Sequence, residues 1–395
     1  MHWIAAAGVL VLALLTACDD DPGSTDTPMT RPTPTAAPIA QQWTSTRLPT
    51  GAGESAVLRD GTWCGDHWLV VGAERAADGT TRPAAWRSPD GRAWRSVPIH
   101  PRSYYGRRAI LHSVACVGQV PVAVGAMSGG AHGNARVSTF RSAGGTWTDV
   151  RAPFEQYGGP DALNVGPVAS GADGWLIAGN RLSGPAVWVA RSPRRFTIVE
   201  AAARLSNGPD DIAIASQAAW YRGAWHVVGG ESVGANRVPR AWTSRDGRTW
   251  QRDDVPSDSP LDDLVRVVAT DDGLVAVGRV ADGFGVWRSD GTSWSRQETF
   301  ATDTGTDGSG LPDVLDLDAS GDALYAVVTD GTDDELWSSD GAAWQRVALP
   351  VEVAPSGDTS MALAASAHGV LLLTDDGTTA MLWQPVDVPA DGESP

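Results

Sequence analysis

The 395-residue chain contains no lysine, so all 30 of its basic residues are arginine, and 47 acidic residues outnumber them. The formal net charge at pH 7 is −17. Binding to a phosphate backbone needs a basic surface that releases counterions, so this charge balance argues against a nucleic-acid partner. Glycine and proline, in contrast, are abundant at 45 and 26 residues, which favours a turn-rich all-β protein.

Long hydrophobic runs are also scarce. The apolar run over residues 3–15 is too short to span a bilayer as a mature helix but suits a signal peptide. The sequence LTAC at residues 15–18 resembles the lipobox of bacterial lipoproteins, in which the cysteine sulfur receives a diacylglyceryl group. The resemblance implies a signal peptide over 1–17, a lipidated Cys18 and a protein anchored on the extracytoplasmic face of the cell membrane. An ordinary secretory signal that contains a cysteine is the alternative.

The segment after Cys18 is poor in large apolar side chains and rich in proline, threonine and aspartate. Such a composition cannot bury a core, so we predict that residues 18–42 are a disordered tether beginning with the lipidated cysteine. A single folded domain is predicted over residues 43–388, followed by a disordered tail over 389–395. In this order of parts, the membrane is contacted through the lipid anchor only.

A repeat is visible in pairs of aromatic residues that enclose a turn. The first pair encloses SPDGRA, and Asp-Gly between alternating aromatic and polar residues is a strong hairpin signal. An apolar run, such as LVVG ending at Gly72, precedes each hairpin, and a further β-like run precedes that one. Four strands therefore recur about every 50 residues, which is typical of a β-propeller. The aromatic pairs are Trp86 and Trp94, Phe140 and Trp147, Trp188 and Phe196, Trp242 and Trp250, Trp287 and Trp294, and Trp337 and Trp344.

The number of blades follows from the two ends of the repeat. Trp383 begins a third strand after which no fourth strand follows, whereas Trp43 begins a fourth strand with nothing before it. The spacing from Trp43 to Pro49 matches that of the fourth strands in complete repeats. We therefore predict an all-β, seven-bladed β-propeller with four antiparallel strands per blade, whose N-terminal strand closes the last blade and removes its free edge.

The Asp-Gly turns resemble the Asp-box, or BNR, repeat of the sialidase-like propellers, whose pattern is Ser/Thr-x-Asp-x-Gly-x-x-Trp. The turns of this chain lack the residue between aspartate and glycine. The resemblance implies a structural role, in which the aspartate caps backbone N–H groups of the turn and the tryptophan packs between blades. The residues assigned to this role are Ser88, Asp90, Gly91, Trp94, Ser244, Asp246, Gly247, Trp250, Asp290, Trp294, Ser338, Asp340, Gly341 and Trp344.

Besides Cys18, the chain has only two cysteines, Cys64 and Cys116. Both lie shortly before the glycine that ends the next apolar run, which places them near the end of the innermost strand of neighbouring blades. In an oxidising compartment, this arrangement favours a disulfide between blades 1 and 2. Two thiols without convergent histidines fall short of the four ligands of a structural zinc site, so no metal or cofactor is predicted.

A candidate binding surface lies in the loops that follow the fourth strands. In a propeller, these loops share one face with the loops between second and third strands, and the Asp-Gly turns share the other. Three of the five tyrosines fall in the first two between-blade loops, and loops on a rigid scaffold commonly carry function. Ordinary solvated loops are the alternative. The residues of the predicted binding face are Arg102, Tyr104, Tyr105, Arg107, Arg108, Glu155, Tyr157 and Asp161.

Neither an HExxH nor a P-loop pattern is found, and we predict no catalytic residue. Sialidases combine a Tyr–Glu pair with arginines from several blades and an Arg-Ile-Pro motif. This chain has no Arg-Ile-Pro, and only Tyr104 or Tyr157 beside Glu155 suggests such a pair. We therefore expect a monomeric, non-catalytic binding or scaffold module for an envelope protein, peptide or glycan. The alternatives are a sialidase-like glycoside hydrolase and an assembly factor for an envelope complex.

Overall fold

A computed structural model describes residues 37–129, 135–208, 212–281, 283–300 and 311–386 of the chain. The predicted signal peptide, the lipidation site Cys18 and the predicted C-terminal tail lie outside the described residues. Within the described ranges, no helix is long and apolar enough to cross a membrane. The helical elements in this part of the chain are two short 3-10 turns in the between-blade loops.

The described residues form seven antiparallel sheets of four strands each, and each sheet is one blade. Strand β1 (Trp43–Thr46) precedes six blades that are continuous in the chain. The predicted seven-bladed β-propeller is confirmed. Blades 1 to 3 contain β2 (Ser55–Trp63), β3 (Trp68–Arg75), β4 (Thr81–Ser88) and β5 (Arg95–Ser96); β6 (Ile110–Val117), β7 (Val120–Met127), β8 (Arg136–Ala143) and β9 (Thr146–Asp149); and β10 (Ala162–Gly171), β11 (Gly174–Arg181), β12 (Gly184–Ala190) and β13 (Thr197–Val199).

The remaining four blades have the same order of strands from the channel outwards. Blade 7 differs only in taking its outermost strand, β1, from the other end of the domain. Blades 4 to 7 contain β14 (Ile212–Tyr221), β15 (Ala224–Val233), β16 (Asn236–Ser244) and β17 (Gln251–Asp253); β18 (Arg266–Ala269), β19 (Leu274–Val280), β20 (Gly283–Ser289) and β21 (Trp294–Phe300); β22 (Asp313–Ser320), β23 (Ala323–Thr329), β24 (Asp334–Ser339) and β25 (Trp344–Val347); and β26 (Ser360–Ser366), β27 (Gly369–Asp375) and β28 (Ala380–Pro385).

The ring is closed by the antiparallel pairing of β1 with β28, in which Trp43 lies opposite Pro385. The indole N–H of Trp43 donates a hydrogen bond of 2.9 Å to the carbonyl of Ala348 in blade 6. Leu48, which follows β1, is buried in the cluster between blades 7 and 1. The prediction that the N-terminal strand closes the last blade is therefore confirmed.

The contacts of the N-terminal segment begin before Trp43, where the sequence placed the domain boundary. The backbone N–H of Ile39 donates to Arg346, and the N–H of Ala348 donates to Ile39, at 2.8 and 2.9 Å. These two bonds add Ile39 to the outer edge of blade 6 beside Val347. Residues 37–42 were predicted as part of the tether because of their composition, which carries no information about backbone pairing.

Close approach of neighbouring strands explains the glycine that ends the apolar runs. In blade 1, a Cβ atom on Gly72 would lie 1.8 Å from the carbonyl oxygen of Val57, where strand β2 bulges towards β3. The equivalent Gly229 of blade 4 would meet the carbonyl of Ile214 at the same distance. Only glycine fits where two backbones approach this closely.

The core consists of hydrophobic clusters, each shared by two adjacent blades. Seven such clusters cover the seven blade interfaces of the described residues. The aromatic residues of the third strands are almost fully buried, as Trp86 and Trp242 show. Their indole groups also fix the loop that arrives from the preceding blade, because the N–H of Trp86 donates to Pro49 and that of Trp287 to Pro256, both at 2.8 Å.

Polar side chains of the innermost strands connect neighbouring blades around the channel. The carboxylate of Asp60 in blade 1 accepts a hydrogen bond of 2.7 Å from the backbone N–H of Val114 in blade 2. Asp318 of blade 6 accepts one of 2.6 Å from Ala365 in blade 7. Burial raises the pKa of Asp60, and burial together with the nearby charge of Asp316 raises the pKa of Asp318 to about 7.

The Asp-Gly turns are held by the aspartate side chain. In blade 1, one carboxylate oxygen of Asp90 accepts hydrogen bonds from the N–H groups of Arg92 and Ala93, both at 2.9 Å. These bonds lower the pKa of Asp90 to about 2. The turn of blade 6 corrects one assignment, because Ser339 rather than Ser338 occupies the position of Ser88. The turns of blades 5 and 6 are one residue shorter, and the N–H of Gly341 accordingly donates to Ser339 at 3.1 Å.

A disulfide joins Cys64 and Cys116, whose Cα atoms are 5.4 Å apart. Cys64 directly follows β2, and Cys116 lies near the end of β6, so the bond connects the innermost strands of blades 1 and 2. Both cysteines contribute to the hydrophobic cluster between these blades. The predicted pairing is present in the structure.

Candidate functional site

Two surfaces of the disc are distinguished by the connections that form them. The loop face carries the loops between blades and those between second and third strands, and the turn face carries the Asp-Gly turns and the turns between first and second strands. Seven of the eight residues predicted for the binding face are exposed on the loop face: Arg102, Tyr104, Tyr105, Arg107, Arg108, Glu155 and Asp161. They lie over blades 2 and 3.

The loop from blade 1 to blade 2 is anchored by Asp149, a buried residue at the end of β9. Its carboxylate accepts hydrogen bonds of 2.6 and 3.0 Å from the backbone N–H groups of Arg102 and Ser103. Burial by itself raises the pKa of Asp149, but the hydrogen bonds from residues 102 and 103 bring it below the ordinary value. An ionised carboxylate therefore holds this loop against the outer strand of blade 2.

The anchored loop presents two tyrosines to solvent. Tyr104 is 51% exposed and Tyr105 is 39% exposed, and their rings meet edge to face at 5.3 Å between centroids. The guanidinium group of Arg108 stacks over Tyr104 at 4.6 Å and donates a hydrogen bond to its hydroxyl group. These contacts restrict the exposed rings to one arrangement before any ligand binds.

The loop from blade 2 to blade 3 contains a 3-10 turn, Phe154–Gln156, that is held by hydrogen bonds to blade 3. The indole N–H of Trp188 donates to the carbonyl of Gln156, and the side-chain amide of Gln156 donates to Phe196 at 3.1 Å. Phe154, at the tip of this turn, is 55% exposed. The loop therefore holds a large apolar side chain in solvent on a rigid support.

Tyr157 is the exception among the predicted binding residues. Its ring packs in the cluster between blades 2 and 3, and its hydroxyl lies 3.4 Å from that of Thr139. Burial raises the pKa of this phenol well above its ordinary value. Tyr157 is therefore buried rather than exposed on the loop face, although it lines both of the cavities described below.

Arg136, at the start of β8, lies between the two loops. Its guanidinium group stacks on Phe154 at 4.6 Å and lies 5.8 Å from the ring of Tyr105. Among the described residues, Arg136 has no carboxylate partner, and its buried Nε atom has no acceptor. Residues 130–134, which precede it in the chain and lie outside the described residues, include no acidic residue in the sequence. A partly shielded positive charge is thus left without a counterion from the described chain.

Two adjoining cavities meet at Arg136 and Phe154. The outer cavity, of about 560 Å³, lies over the outer strands of blade 2 and is also lined by Tyr105 and Arg151. The inner cavity, of about 510 Å³, extends to the innermost strands and is lined by His112. Burial, with some repulsion from Arg59, lowers the pKa of His112 to about 4, so its imidazole is neutral at neutral pH. The charged residues that line the two cavities are Arg102, Arg136, Arg151 and the ionised Asp149, which together carry a positive formal charge.

Two arrangements bear on the chemistry of the groove, the Tyr–Glu pair of a sialidase and a cluster of metal ligands. The hydroxyl of Tyr157 pairs with Thr139 and not with Glu155, so the Tyr–Glu pair of a sialidase is not formed there. No group of three or more histidine, cysteine or acidic residues is arranged to hold a metal ion in the described part of the chain.

Sequence reasoning missed three residues that line the groove: Arg136, Arg151 and Phe154. The sequence does mark the position of Phe154, because this residue directly follows Pro153, the proline of the repeated Trp-to-Pro spacing. Arg136 directly follows the long second-to-third loop of blade 2. Neither signal indicates that the two side chains stack on each other.

No protein family profile and no curated protein sequence matches the chain. Solved structures share its architecture. The β-propeller domain of Cps50 from Myceliophteria thermophila has a TM-score of 0.51 at 12% identity, covering 87% of this chain and 99% of that one. A prolyl endopeptidase has a TM-score of 0.49 at 13% identity over 85% of this chain and 51% of its own, so the chain spans about half its length. A Hadza microbial sialidase has a TM-score of 0.40 at 13% identity, covering 84% of this chain and 66% of its own. Of these three, the likeness to the Cps50 domain shows the β-propeller fold and nothing further.

Proposed function

We propose that this protein is a lipid-anchored, extracytoplasmic binding module that holds a partner protein or peptide on its loop face. The observation that carries the proposal is the groove at Arg136, whose guanidinium group has no carboxylate partner among the described residues and lies between exposed aromatic rings. Arginine and tyrosine contribute most often to the binding energy of protein interfaces. The groove presents Tyr105 on a loop that is held by the carboxylate of Asp149, and Arg136 at the start of β8.

Exposed apolar side chains extend this surface beyond the groove. Single exposed apolar residues are ordinary, but several on one face of a soluble domain indicate an interaction surface. A polypeptide partner covers such a surface better than a small polar ligand does. The large apolar residues exposed on the loop face of blades 2 to 4 are Tyr104, Tyr105, Phe154, Leu163, Leu182 and Ile212.

The charge of the groove defines one feature of the partner. Arg136 and Arg151 line the outer cavity, and the ionised Asp149 beneath them is engaged by the backbone of residues 102 and 103. An acidic side chain of the partner that enters the groove would pair with Arg136 while apolar contacts surround it. We therefore infer that the bound segment carries an aspartate or glutamate flanked by apolar residues.

The loop-face surface is tested by retention of a partner from solubilised membranes. Replacing Tyr104 and Phe154 together with alanine removes two exposed rings that hold little core. Central aromatic contacts contribute about 1–2 kcal/mol or more, so we expect retention to fall by about tenfold or more. Arg136→Gln should produce a comparable loss, since it removes the charge while keeping a polar side chain. Retained material is identified and quantified, and thermal melting verifies that each variant is folded.

The matched control is Val120→Ala, which changes a residue 42% exposed on the turn face of the same blade. This variant should retain the partner as the unaltered protein does. Equal retention by all three variants would remove the loop face from the proposal. A retained glycan in place of a polypeptide would show that the class of partner is wrong.

The anchor is tested separately at Cys18, which lies outside the described residues. Cys18→Ala removes the sulfur that the lipobox resemblance assigns to diacylglyceryl attachment. We expect the variant to move from the membrane fraction to the soluble or secreted fraction, because a single protein domain without its acyl chains lacks a stable membrane attachment. If the variant remains membrane-bound after a salt wash, the chain is held by something other than this lipid.

A further inference from the structure

A separate cavity, of about 540 Å³, lies on the opposite surface, the turn face, between blades 3 and 4. Three tryptophans line it: Trp175, Trp220 and Trp225. Trp220 is half-buried, and its ring meets that of Trp225 edge to face at 4.9 Å between centroids. The indole rings are recessed between the blades, in contrast to the protruding tyrosines of the loop face.

Four exposed arginines surround these indoles: Arg191, Arg195, Arg245 and Arg248. Their guanidinium groups have no hydrogen bond or ion pair with any described residue. Four unpaired guanidinium groups around one cavity are notable in a chain with a net charge of −17, where neighbouring carboxylates are abundant.

The carboxylates of the cavity do not neutralise this charge. Asp246 is committed to its own turn, where it accepts hydrogen bonds of 2.8 and 2.7 Å from the backbone N–H groups of Arg248 and Thr249. Asp173 is the other acidic residue in the lining, and it is exposed. With four arginines against two aspartates, the cavity carries a positive formal charge.

The turn that carries two of the arginines is fixed in place. A Cβ atom on Gly247 would lie 2.6 Å from Cγ1 of Val189, so the turn of blade 4 packs directly against blade 3. The side chain of Ser244 accepts a hydrogen bond of 2.9 Å from the N–H of Gly247. Arg245 and Arg248 therefore project from a rigid support at the edge of the cavity.

We propose that this cavity binds an acidic saccharide, with a sugar ring on the indole surface and its anionic group on the arginines. Indole faces carry a negative quadrupole that attracts the polarised C–H groups of a sugar ring. Guanidinium groups bind carboxylates through paired, charge-assisted hydrogen bonds. The volume is within the range of small-molecule sites, which is about 300–1,000 Å³. The site lies on the opposite face from the groove at Arg136 and is independent of the function proposed for that groove.

The recessed tryptophans favour a saccharide over a protein at this site. A protein interface needs apolar side chains that protrude to meet a partner, and the large ones on the loop face of blades 2 to 4 do so. On the turn face near the cavity, the indoles form a floor and the rim consists of arginines. A sugar ring that enters the cavity would contact the indoles, and an anionic group at the edge of that ring would lie beside the arginines.

The probe is trigalacturonic acid, titrated into the folded protein by isothermal titration calorimetry. We expect saturable binding that weakens as salt is raised, since it depends on ionic contacts. The fully methyl-esterified trisaccharide keeps the sugar rings without the charges and should bind at least tenfold more weakly. Tricarballylate, which has three carboxylates without a sugar ring, should also bind at least tenfold more weakly. Equal binding of either control ligand would overturn the corresponding half of the proposal.

The residues are tested with the double variant Arg245→Ala, Arg248→Ala, which should weaken binding at least tenfold. The matched control is Arg92→Ala, because Arg92 occupies the position of Arg248 in the Asp-Gly turn of blade 1 and does not line this cavity. Arg92→Ala should bind as the unaltered protein does. Trp220→Leu tests the indole surface, with thermal melting to verify folding. No binding to the unaltered protein, or unchanged binding by the double variant, would refute the site, whatever the loop-face variants show.

Discussion

A chain lacking residues 40–50 should lose a large part of its stability, because blade 7 then has no outermost strand. The deletion removes the pairing of β1 with β28, the packing of Trp43 and the buried side chain of Leu48. Loss of one buried tryptophan or leucine commonly costs about 2–5 kcal/mol, so the combined loss is on the order of 5–10 kcal/mol. We expect a marked fall in melting temperature and aggregation through the exposed edge of β28. Circular dichroism melts and size-exclusion chromatography measure both effects.

A milder pair of variants separates ring closure from general damage. Leu48→Ala leaves β1 in place but empties a buried position, and it should cost about 2–5 kcal/mol. Thr44→Ala changes an exposed residue of the same strand and should change stability by less than about 0.5 kcal/mol. If the deletion variant has the same melting temperature as the intact domain, β1 does not close the ring in solution.

Removal of the disulfide should produce the second large loss. The two cysteines are 52 residues apart in sequence, and cross-linking a loop of this length removes entropy from the unfolded chain worth about 4 kcal/mol. The double variant Cys64→Ala, Cys116→Ala should therefore unfold at lower denaturant concentration by approximately this free energy. Denaturant titrations of the oxidised protein and the double variant give the difference directly.

Thiol counting verifies that the bond forms. In a Cys18→Ala background, the denatured and unreduced protein should take up no maleimide, and the reduced protein should take up two. Labelling of both cysteines before reduction would mean that the pair is not bonded. In that case, the double variant should also show no loss of stability beyond that of an ordinary core substitution.

The fold was predictable because its signals are local and repeated. Asp-Gly turns such as Asp90-Gly91 specify hairpins from neighbouring residues alone, and four such turns together with six aromatic pairs reinforce each other. Closure was predictable because the incomplete repeats at Trp43 and Trp383 complement each other. In the shorter turn of blade 6, both Ser338 and Ser339 precede the aspartate, and the sequence pattern favours Ser338. Only the pairing of the strands shows that Ser339 occupies the equivalent position.

The candidate sites were less predictable, because they depend on which way side chains point in loops. The sequence places Tyr104 and Tyr157 in equivalent between-blade loops, yet one is half exposed and the other is packed in the cluster between blades 2 and 3. The groove at Arg136 joins residues of three separate segments. The cavity at Trp220 likewise requires two blades to be side by side. Hydrophobic periodicity indicates which residues form strands, but it carries no information about which side chains of different loops and blades lie next to each other.

The order in which the chain is made gives the closing strand a kinetic consequence. Trp43 emerges before any other described strand residue but pairs with Pro385, at the far end of the propeller sequence. Contacts between such distant residues form late, since the entropy of closing the intervening loop must first be overcome. Blades 1 to 6 can assemble as they are synthesised, while β1 waits without its partner until β28 is complete. A chain that stalls before β28 therefore carries an ordered but open arc with two unpaired ends, and the ring closes only once β28 has been made.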